Sequence, residues 1–242
     1  LAGKLYLFGG IGSRNATIAG RDLTIPSQFR DIYEVDPVLR SITLLPDRLP
    51  NKTLGMGVTT FEGRAYLFGG ESFDAFESAP PGADPDARAA LLDQVVRFDP
   101  AAAPGSRVSV MPERLPHGWM QPGVARVGAT AYLLGGMAVR TDDHPCPELA
   151  PGQPSAACAT DEIVSYDLSG SRAAGVVGHL PQVYARTHPA TLLDQIVLVG
   201  GEANQTLNTL VRIDPQHLGV IHAHVLGRNH RVLGGNRRGQ QG

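Results

Sequence analysis

The chain has 242 residues, with 21 Lys and Arg against 23 Asp and Glu, so its formal net charge at pH 7 is −2. A charge so close to zero provides no broad positive field, and no basic patch is interleaved with aromatic residues, so we expect no nucleic-acid binding. No apolar run approaches the roughly 18 residues that a membrane-spanning helix needs, so we expect no membrane segment.

A short apolar run that ends in two glycines occurs four times along the chain. The doublets begin at Gly9, Gly69, Gly135 and Gly200, which gives periods of 60, 66 and 65 residues. Each run predicts a strand that stops at a forced turn, because glycine accepts positive φ and close packing without the penalty of a Cβ atom. Repetition at a nearly fixed period indicates that one structural unit is repeated.

Each doublet is followed by a second predicted strand that ends in Asp, and then in most units by a Leu-Pro step. These strands are DIYEVDP (31–37), QVVRFDP (94–100), EIVSYDL (162–168) and TLVRIDP (209–215). With the strand that leads into the next doublet, the unit predicts a four-stranded antiparallel meander. We label its strands a to d, and the clearest copies are a (57–61), b (65–68), c (32–35) and d (41–45).

These motifs resemble kelch repeats, the units that form the blades of β-propellers. The resemblance covers residues 1–216 and implies an all-β fold, a kelch-type β-propeller of four-stranded antiparallel blades, with about four blades present. The Trp that is usual on the outer strand of this family is absent near Leu44, Val110 and Val176, so the copies are divergent. A glycine-rich β-sandwich with chance doublets stays the alternative, since both folds share the signals of short strands.

The repeat pattern is incomplete at both ends of the sequence. The first strand b begins without its strand a, and the regular pattern stops after Pro215. We therefore expect residues 1–216 to form blades of part of a larger propeller. Residues 217–242 are expected to be a weak outer strand (219–226) followed by a disordered tail.

No cofactor and no metal site are predicted. The tail holds four of the eight His residues, but no carboxylate or Cys joins them and their spacing matches no standard ligand pattern. They are His217, His222, His224 and His230. The glycine doublets open no helix of a βαβ unit, which a nucleotide-binding fingerprint would require.

Three long insertions separate strands b and c, at residues 11–30, 71–93 and 137–161. Alternate turns of a meander emerge at opposite ends, so the b-to-c loops and the d-to-a connections are expected to share one rim. Loops on a rigid scaffold often carry function, which predicts a binding surface there. Surface loops tolerated at a low entropic cost are the alternative. Within the second insertion, ADPDARAALL (83–92) predicts a short helical turn.

Five side chains of the d-to-a connections are the predicted ligand-binding residues: Lys52, His117, Trp119, Tyr184 and Arg186. An aromatic ring beside Arg or Lys suits a sugar face, a carboxylate or a partner protein. The expected ligand is therefore a protein or an acidic sugar. Arg186 has a structural alternative, since kelch units often carry an Arg at the entry to strand a that bridges neighbouring blades.

The only two cysteines, Cys146 and Cys158, lie in the Pro-rich third insertion. They predict a disulfide that closes this loop and, with it, a secreted or periplasmic location. Two free surface thiols are the alternative.

Two functions remain open from the sequence. The first is a non-catalytic kelch module that binds a protein or glycan on the loop-bearing rim. The second is an enzyme, because residues 5–15 and 54–70 resemble exported bacterial sialic-acid mutarotases of the kelch class. That resemblance implies acid-base chemistry by a Glu and an Arg within a Gly-Glu-Ala…Arg-Thr-Asp stretch. Here the two parts are separated, and the candidate catalytic residues are Glu202 and Arg140.

Overall fold

The computed structural model describes residues 1–18, 21–72, 90–139, 157–170, 172–202, 209–218 and 221–225. Within these ranges the regular secondary structure consists of β-strands, and no helix is present. The described part of the chain therefore contains no helix that is long and apolar enough to cross a membrane. The predicted all-β class is confirmed.

The strands follow the glycine-rich turns predicted from the sequence. In the first half of the chain they are β1 (Leu5–Phe8), β2 (Ile11–Ile18), β3 (Arg21–Gln28), β4 (Asp31–Asp36), β5 (Ser41–Arg48), β6 (Thr53–Leu54), β7 (Gly57–Phe61), β8 (Arg64–Phe68), β9 (Glu71–Ser72), β10 (Ala90–Leu91), β11 (Val95–Phe98) and β12 (Val108–Val110). In the second half they are β13 (Trp119–Met120), β14 (Gly123–Val127), β15 (Thr130–Leu134), β16 (Met137–Val139), β17 (Ala157–Asp167), β18 (Gly175–Tyr184), β19 (Ala190–Leu192), β20 (Gln195–Val199), β21 (Thr209–Ile213) and β22 (Ile221–Val225).

Four antiparallel sheets repeat the predicted strand order, and we call them blades 1 to 4. Blade 1 contains β1, β4 and β5, blade 2 contains β7, β8, β11 and β12, blade 3 contains β14, β15, β17 and β18, and blade 4 contains β19 to β22. The kelch-type propeller fold with four-stranded antiparallel blades is confirmed. Blades 2 to 4 hold all four strands, while blade 1 holds strands b to d within the described residues.

Consecutive blades pack face to face through three apolar cores. Between blades 1 and 2, Ile32 packs in one cluster with Leu67. Between blades 2 and 3, the rings of Phe68 and Tyr166 meet edge to face with centroids 5.4 Å apart. Within the described residues no strand of blade 4 pairs with blade 1, so the array is not closed into a ring.

The glycine doublets end strand b in each blade, and their first residues have left-handed backbone conformations. The φ angle is 57° at Gly9, 63° at Gly69, 57° at Gly135 and 65° at Gly200. At Gly69 a Cβ atom would lie 2.1 Å from the carbonyl oxygen of Trp119. Both the backbone angle and the close approach require glycine, which confirms the structural role predicted for these residues.

Main-chain atoms connect each blade to the next along one rim. The second glycine of three doublets donates its N–H to the d-to-a connection that leaves the same blade. The pairs are Gly10 with Thr53 (2.8 Å), Gly70 with Trp119 (2.7 Å) and Gly136 with Tyr184 (2.6 Å). The same connections pair with the chain that follows the next doublet, through β6 with β9, β13 with β16, and a bridge between Ala185 and Glu202. The described residues that follow each doublet and the d-to-a connections therefore lie along one rim.

The insertions are described in part. The first forms the hairpin of β2 and β3. In the second insertion a helical turn was predicted over residues 83–92. This prediction is wrong for Ala90 and Leu91, because they form a strand that pairs with Ser72 and Glu71. The remainder of that segment lies outside the described residues, as does 140–156 of the third insertion.

The outer strand expected near the end of the chain is present as β22, which pairs with β21. Residues 226–242 lie outside the described ranges. The predicted division into blades (1–216) and tail (217–242) therefore stays a prediction.

Candidate functional site

The structure places the five predicted ligand-binding residues in different environments along the d-to-a connections. Trp119 and Tyr184 are fully buried, and His117 is mostly buried. Arg186 is exposed and lines a cavity, whereas Lys52 is half-buried beside the connection and does not line that cavity. Of the five, Arg186 is the residue that lines the cavity described below.

Trp119 and Tyr184 occupy equivalent positions, because each carbonyl accepts the hydrogen bond from the doublet of its blade. The indole Nε1 of Trp119 donates to the carbonyl of Gly135 at 2.7 Å. The hydroxyl of Tyr184 is hydrogen-bonded to the Thr209 hydroxyl at 2.9 Å. Both side chains are therefore satisfied inside the blade stack, and their area stabilises the contact between blades.

His117 forms a titratable contact between a connection and the next blade. Its ring stacks on Trp119 with centroids 4.7 Å apart, and its Nε2 donates to Glu162 Oε2 at 2.7 Å. Burial lowers the pKa of His117, but the hydrogen bond to Glu162 and the charge of that carboxylate raise it, and the net pKa lies above the usual value. The protonated His117 therefore ties blade 2 to blade 3.

Replacing His117 with Gln is expected to destabilise the protein most at acidic pH. Because the folded pKa is raised, the stabilising contribution of His117 is complete below the unfolded pKa of about 6.5 and is lost as pH rises through the folded pKa. Urea midpoints of the wild type and H117Q, measured from about pH 5 to pH 8, test this. The control is H179Q, which removes an exposed pair with Asp161 (3.1 Å) and should change little. A difference between H117Q and the wild type that is constant with pH would contradict the assignment.

A cavity of about 510 Å³ opens where three successive parts of the repeat meet. It is lined by the residues between strands d and a, and by the first residues of strand a. These are Gly55, Met56, Gly57 and Val58, then Gln121, Pro122 and Val124, and then Arg186, Thr187, His188 and Pro189. The cavity thus combines apolar side chains with polar ones, and Gln121, Arg186 and His188 are the candidates to recognise a ligand.

Arg186 is positioned by two neighbours. Its Nη1 lies 3.0 Å from Glu202 Oε2, and its Nε donates to Gln121 Oε1 at 3.3 Å. Glu202 is held against the same connection by the bridge to Ala185. The candidate catalytic residue Glu202 therefore meets Arg186, while the other candidate, Arg140, lies outside the described residues.

The backbone of Arg186 is strained at a position that repeats in three connections. The residue two positions after Thr53, Trp119 and Tyr184 has positive φ in each case, 69° at Gly55, 52° at Gln121 and 51° at Arg186. Glycine accepts this conformation, whereas Gln and Arg pay a steric cost. Strained non-glycine residues are concentrated at functional sites, so both positions are candidates for ligand contact.

The sequence analysis missed Gln121 and His188. A signal for them was present in the sequence positions. Gln121 lies two residues after Trp119 and His188 lies four residues after Tyr184, and the carbonyls of Trp119 and Tyr184 accept the hydrogen bonds from the doublets. It also missed Glu71, which follows the blade 2 doublet just as Glu202 follows that of blade 4. Burial raises the pKa of the Glu71 carboxyl. Two carboxylates thus occupy equivalent places on the rim, one of them paired with an arginine.

One cysteine of the predicted disulfide lies in a described strand. Cys158 is buried in β17, where it pairs with Ala138, and Cys146 lies outside the described residues. The Cys146–Cys158 disulfide therefore stays a prediction. In the described ranges, no three His, Cys, Asp or Glu side chains gather in a way that could hold a metal ion.

The fold and the cavity define an array of kelch-type propeller blades with a cavity at one rim. In sequence the chain is similar to the N-acetylneuraminate epimerases of Yersinia pestis and Yersinia pseudotuberculosis, with 34% identity over 107 residues. The match covers 42% of this chain and 26% of those proteins, so the chain matches about a quarter of their length. No family model matches the chain.

A solved structure of YjhT has a similar fold, with a TM-score of 0.56 and 20% sequence identity. The superposition covers 82% of this chain and 56% of that one. At this level of identity the likeness concerns the fold alone.

Proposed function

We propose that the chain is a kelch-repeat protein that binds an acidic sugar in the cavity between its d-to-a connections, with Arg186 as the group that binds the ligand carboxylate. The observation that carries this proposal is the exposed Arg186 guanidinium, held at the cavity by Gln121 and Glu202. The sequence similarity to N-acetylneuraminate epimerases supports the class of ligand. The secreted or periplasmic location belongs to the proposal as well and depends on the predicted disulfide.

The guanidinium of Arg186 has donors to offer a ligand. Arginine carries five N–H groups in a planar fork that matches a carboxylate. Hydrogen bonds to described residues use two of them, one to Glu202 and one to Gln121. Because these two bonds fix the plane of the fork, less side-chain entropy is lost when a carboxylate binds.

The rest of the cavity suits a small sugar better than a peptide surface. Its volume of about 510 Å³ lies within the range of small-molecule sites. Met56, Pro122 and Val124 offer apolar contacts to C–H groups of a sugar ring. Gln121 and His188 offer hydrogen-bonding groups to its hydroxyls. An acidic peptide would present the same carboxylate and serves as a competitor in the test.

The ion pair of Glu202 with Arg186 favours a second candidate function, the interconversion of sugar anomers. In that reaction a base takes the proton of the anomeric hydroxyl, the ring C–O bond breaks, and the ring oxygen receives a proton. Ring closure on the other face of the carbonyl then gives the second anomer. Glu202, whose Oε2 lies 3.0 Å from Arg186 Nη1, is the candidate base.

One NMR experiment with N-acetylneuraminate tests both functions. Saturation transfer from protein to sugar reports binding, and exchange between the two anomer signals reports interconversion. We expect R186G to weaken binding at least tenfold, or about 1.4 kcal/mol, because the ligand carboxylate loses its hydrogen bonds to the guanidinium. The stability of R186G should be unchanged or slightly raised, since glycine relieves the strain of positive φ.

The matched control is R114A, which removes an equally exposed arginine paired with Asp93 at 2.9 Å, away from the cavity. It should leave binding unchanged. Absence of saturation transfer in the wild type would overturn the sugar-binding proposal. Binding without faster anomer exchange would reject the second function only, and exchange that survives E202Q would reject Glu202 as the base.

A further inference from the structure

Three places on the rim share one backbone arrangement. In each place, a residue of a d-to-a connection pairs with the residue that follows a glycine doublet. The pairs are Leu54 with Glu71, Met120 with Met137, and Ala185 with Glu202. The next residue of each connection lines the cavity, and these residues are Gly55, Gln121 and Arg186. We name the places after the blade of the doublet, as rim places 2, 3 and 4.

The charges at the three rim places differ. In rim place 4 the Arg186 guanidinium is paired with the Glu202 carboxylate, with Nη1 3.0 Å from Oε2. In rim place 3 both residues, Gln121 and Met137, are uncharged. Rim place 2 has the carboxylate of Glu71 but no arginine, because its connection has glycine at the position equivalent to Arg186. Rim place 2 therefore keeps the negative charge of this arrangement without the cation that balances it in rim place 4.

The carboxylate of Glu71 is partly withdrawn from water. Glu71 is half-buried in β9, and burial raises the pKa of its carboxyl. Within the part of the chain that the structure describes, no side chain forms a hydrogen bond or an ion pair with this carboxylate. Withdrawal of a carboxylate from water costs free energy, and a nearby positive charge offsets that cost. Rim place 2 is thus suited to a positively charged group.

Glu71 also lies beside the wall of the cavity. A Cβ atom at Gly70, the residue before it, would lie 2.8 Å from Cγ of Met56, which lines the cavity. Across the strand pair, Leu54 is followed by the lining residue Gly55. Gly55 adds no side chain, whereas at the equivalent position the side chain of Arg186 extends to a carboxylate. A ligand group beside Gly55 can therefore take the role of that guanidinium.

We propose that Glu71 binds an ammonium group of the ligand, in the place where an arginine would pair with it if rim place 2 matched rim place 4. The inference rests on the proposed sugar-binding function and deepens it, because the ligand class becomes an amino sugar acid. Its carboxylate is bound by Arg186 and its ammonium by Glu71. A primary ammonium has three N–H donors and no acceptor, which suits a carboxylate that lacks other donors. An acetylated nitrogen is neutral and cannot balance the charge.

Saturation-transfer NMR with glucosamine and N-acetylglucosamine tests the inference. The two sugars differ in whether the nitrogen is an ammonium or an amide, and at about pH 6 an amine of this kind is protonated. We expect the full chain to bind glucosamine about fivefold more tightly than N-acetylglucosamine, through a partly buried ion pair. E71Q should bind the two sugars equally, because its amide carries no charge.

The matched control is E62Q. Glu62 lies 3.8 Å from Arg64 at the opposite end of blade 2, and its side chain is 66% exposed. The E62Q variant should keep the preference for glucosamine. A second readout is pH, since lowering it from about 6 to about 4 should weaken glucosamine binding to the wild type as Glu71 becomes protonated. E71Q should lack this part of the pH dependence, while Arg186, Glu202 and His188 act alike in both proteins.

Equal binding of the two sugars by the wild type would overturn the inference, and so would a preference for glucosamine that survives E71Q. N-acetylneuraminate distinguishes these failures from a failure of the proposed function, because it offers a carboxylate to Arg186 but no ammonium to Glu71. If N-acetylneuraminate binds and glucosamine is not preferred, the inference alone fails. If a preference that depends on Glu71 is found without N-acetylneuraminate binding, Glu71 keeps its role and Arg186 loses the one proposed for it. If no sugar binds, both proposals fail.

Discussion

Replacing Gly69 with Ala is expected to lower the free energy of unfolding by about 4 kcal/mol. Two costs combine at this position. The residue has φ 63°, which is unfavourable for any side chain, and a Cβ atom would lie 2.1 Å from the Trp119 carbonyl oxygen. That oxygen accepts the hydrogen bond from Gly70, so it cannot move away without breaking the connection between blades.

The matched control is G128A. Gly128 has φ 58°, almost the same as Gly69, but a Cβ atom there would meet nothing within 4 Å. Its cost should be only the backbone strain, about 1–2 kcal/mol. Urea unfolding of both variants separates the two terms. If G69A and G128A lose the same free energy of unfolding, the close approach of the Cβ atom to the Trp119 carbonyl oxygen contributes nothing to the cost.

Replacing Trp119 with Ala is expected to cost about 3–5 kcal/mol, as for a large aromatic residue removed from a core. Trp119 is fully buried, stacks on His117 and donates its N–H to the Gly135 carbonyl. The variant W119F keeps a ring but loses the hydrogen bond, so it should fall between the wild type and W119A. Unfolding is followed by far-UV circular dichroism, because W119A removes the only Trp of the chain.

The sequence analysis predicted Trp119 as a ligand-binding residue, and that role would make W119A bind its ligand more weakly while the blades stay folded. The two expectations are readily separated. If W119A keeps its stability but loses sugar binding, Trp119 contacts the ligand as the sequence predicted. A destabilised variant that still binds under strongly native conditions would establish the role in blade packing.

The blades were predictable because each strand carries its own local signal. The Gly9 and Gly69 doublets fix where strand b ends, and the Asp that closes strand c sets the next turn, as at Asp99, whose carboxylate accepts the N–H of Ala101. Both signals depend only on residues that are close together in the sequence, so they can be recognised without knowledge of the fold. The period of the repeat then places the strands of one blade beside each other.

The cavity was predictable only in its location on the rim. The direction of a side chain in a connection depends on backbone angles that the sequence does not reveal. Trp119 and Gln121 lie two positions apart, and in a regular strand both would point to the same side. The left-handed conformation at Gln121 breaks that alternation, so Trp119 enters the core while Gln121 faces the cavity.

Packing also explains why the contact of Glu202 with Arg186 was not foreseen. The two residues are brought together by the bridge between Ala185 and Glu202, which joins the connection after blade 3 to the loop of blade 4. In the sequence the arginine precedes the glutamate, opposite to the order in the resembling family. Only the pairing of two connections in space makes them neighbours.

The hydrogen bonds that tie successive blades have a consequence for how such a chain evolves. They join the N–H groups of Gly10, Gly70 and Gly136 to carbonyl oxygens of Thr53, Trp119 and Tyr184, three residues with unrelated side chains. Since the donors and acceptors belong to the peptide backbone, substitution at the acceptor position leaves the tie intact. The sequence of each unit can therefore diverge, or a unit can be duplicated, while the backbone hydrogen bonds keep the same register between neighbouring units.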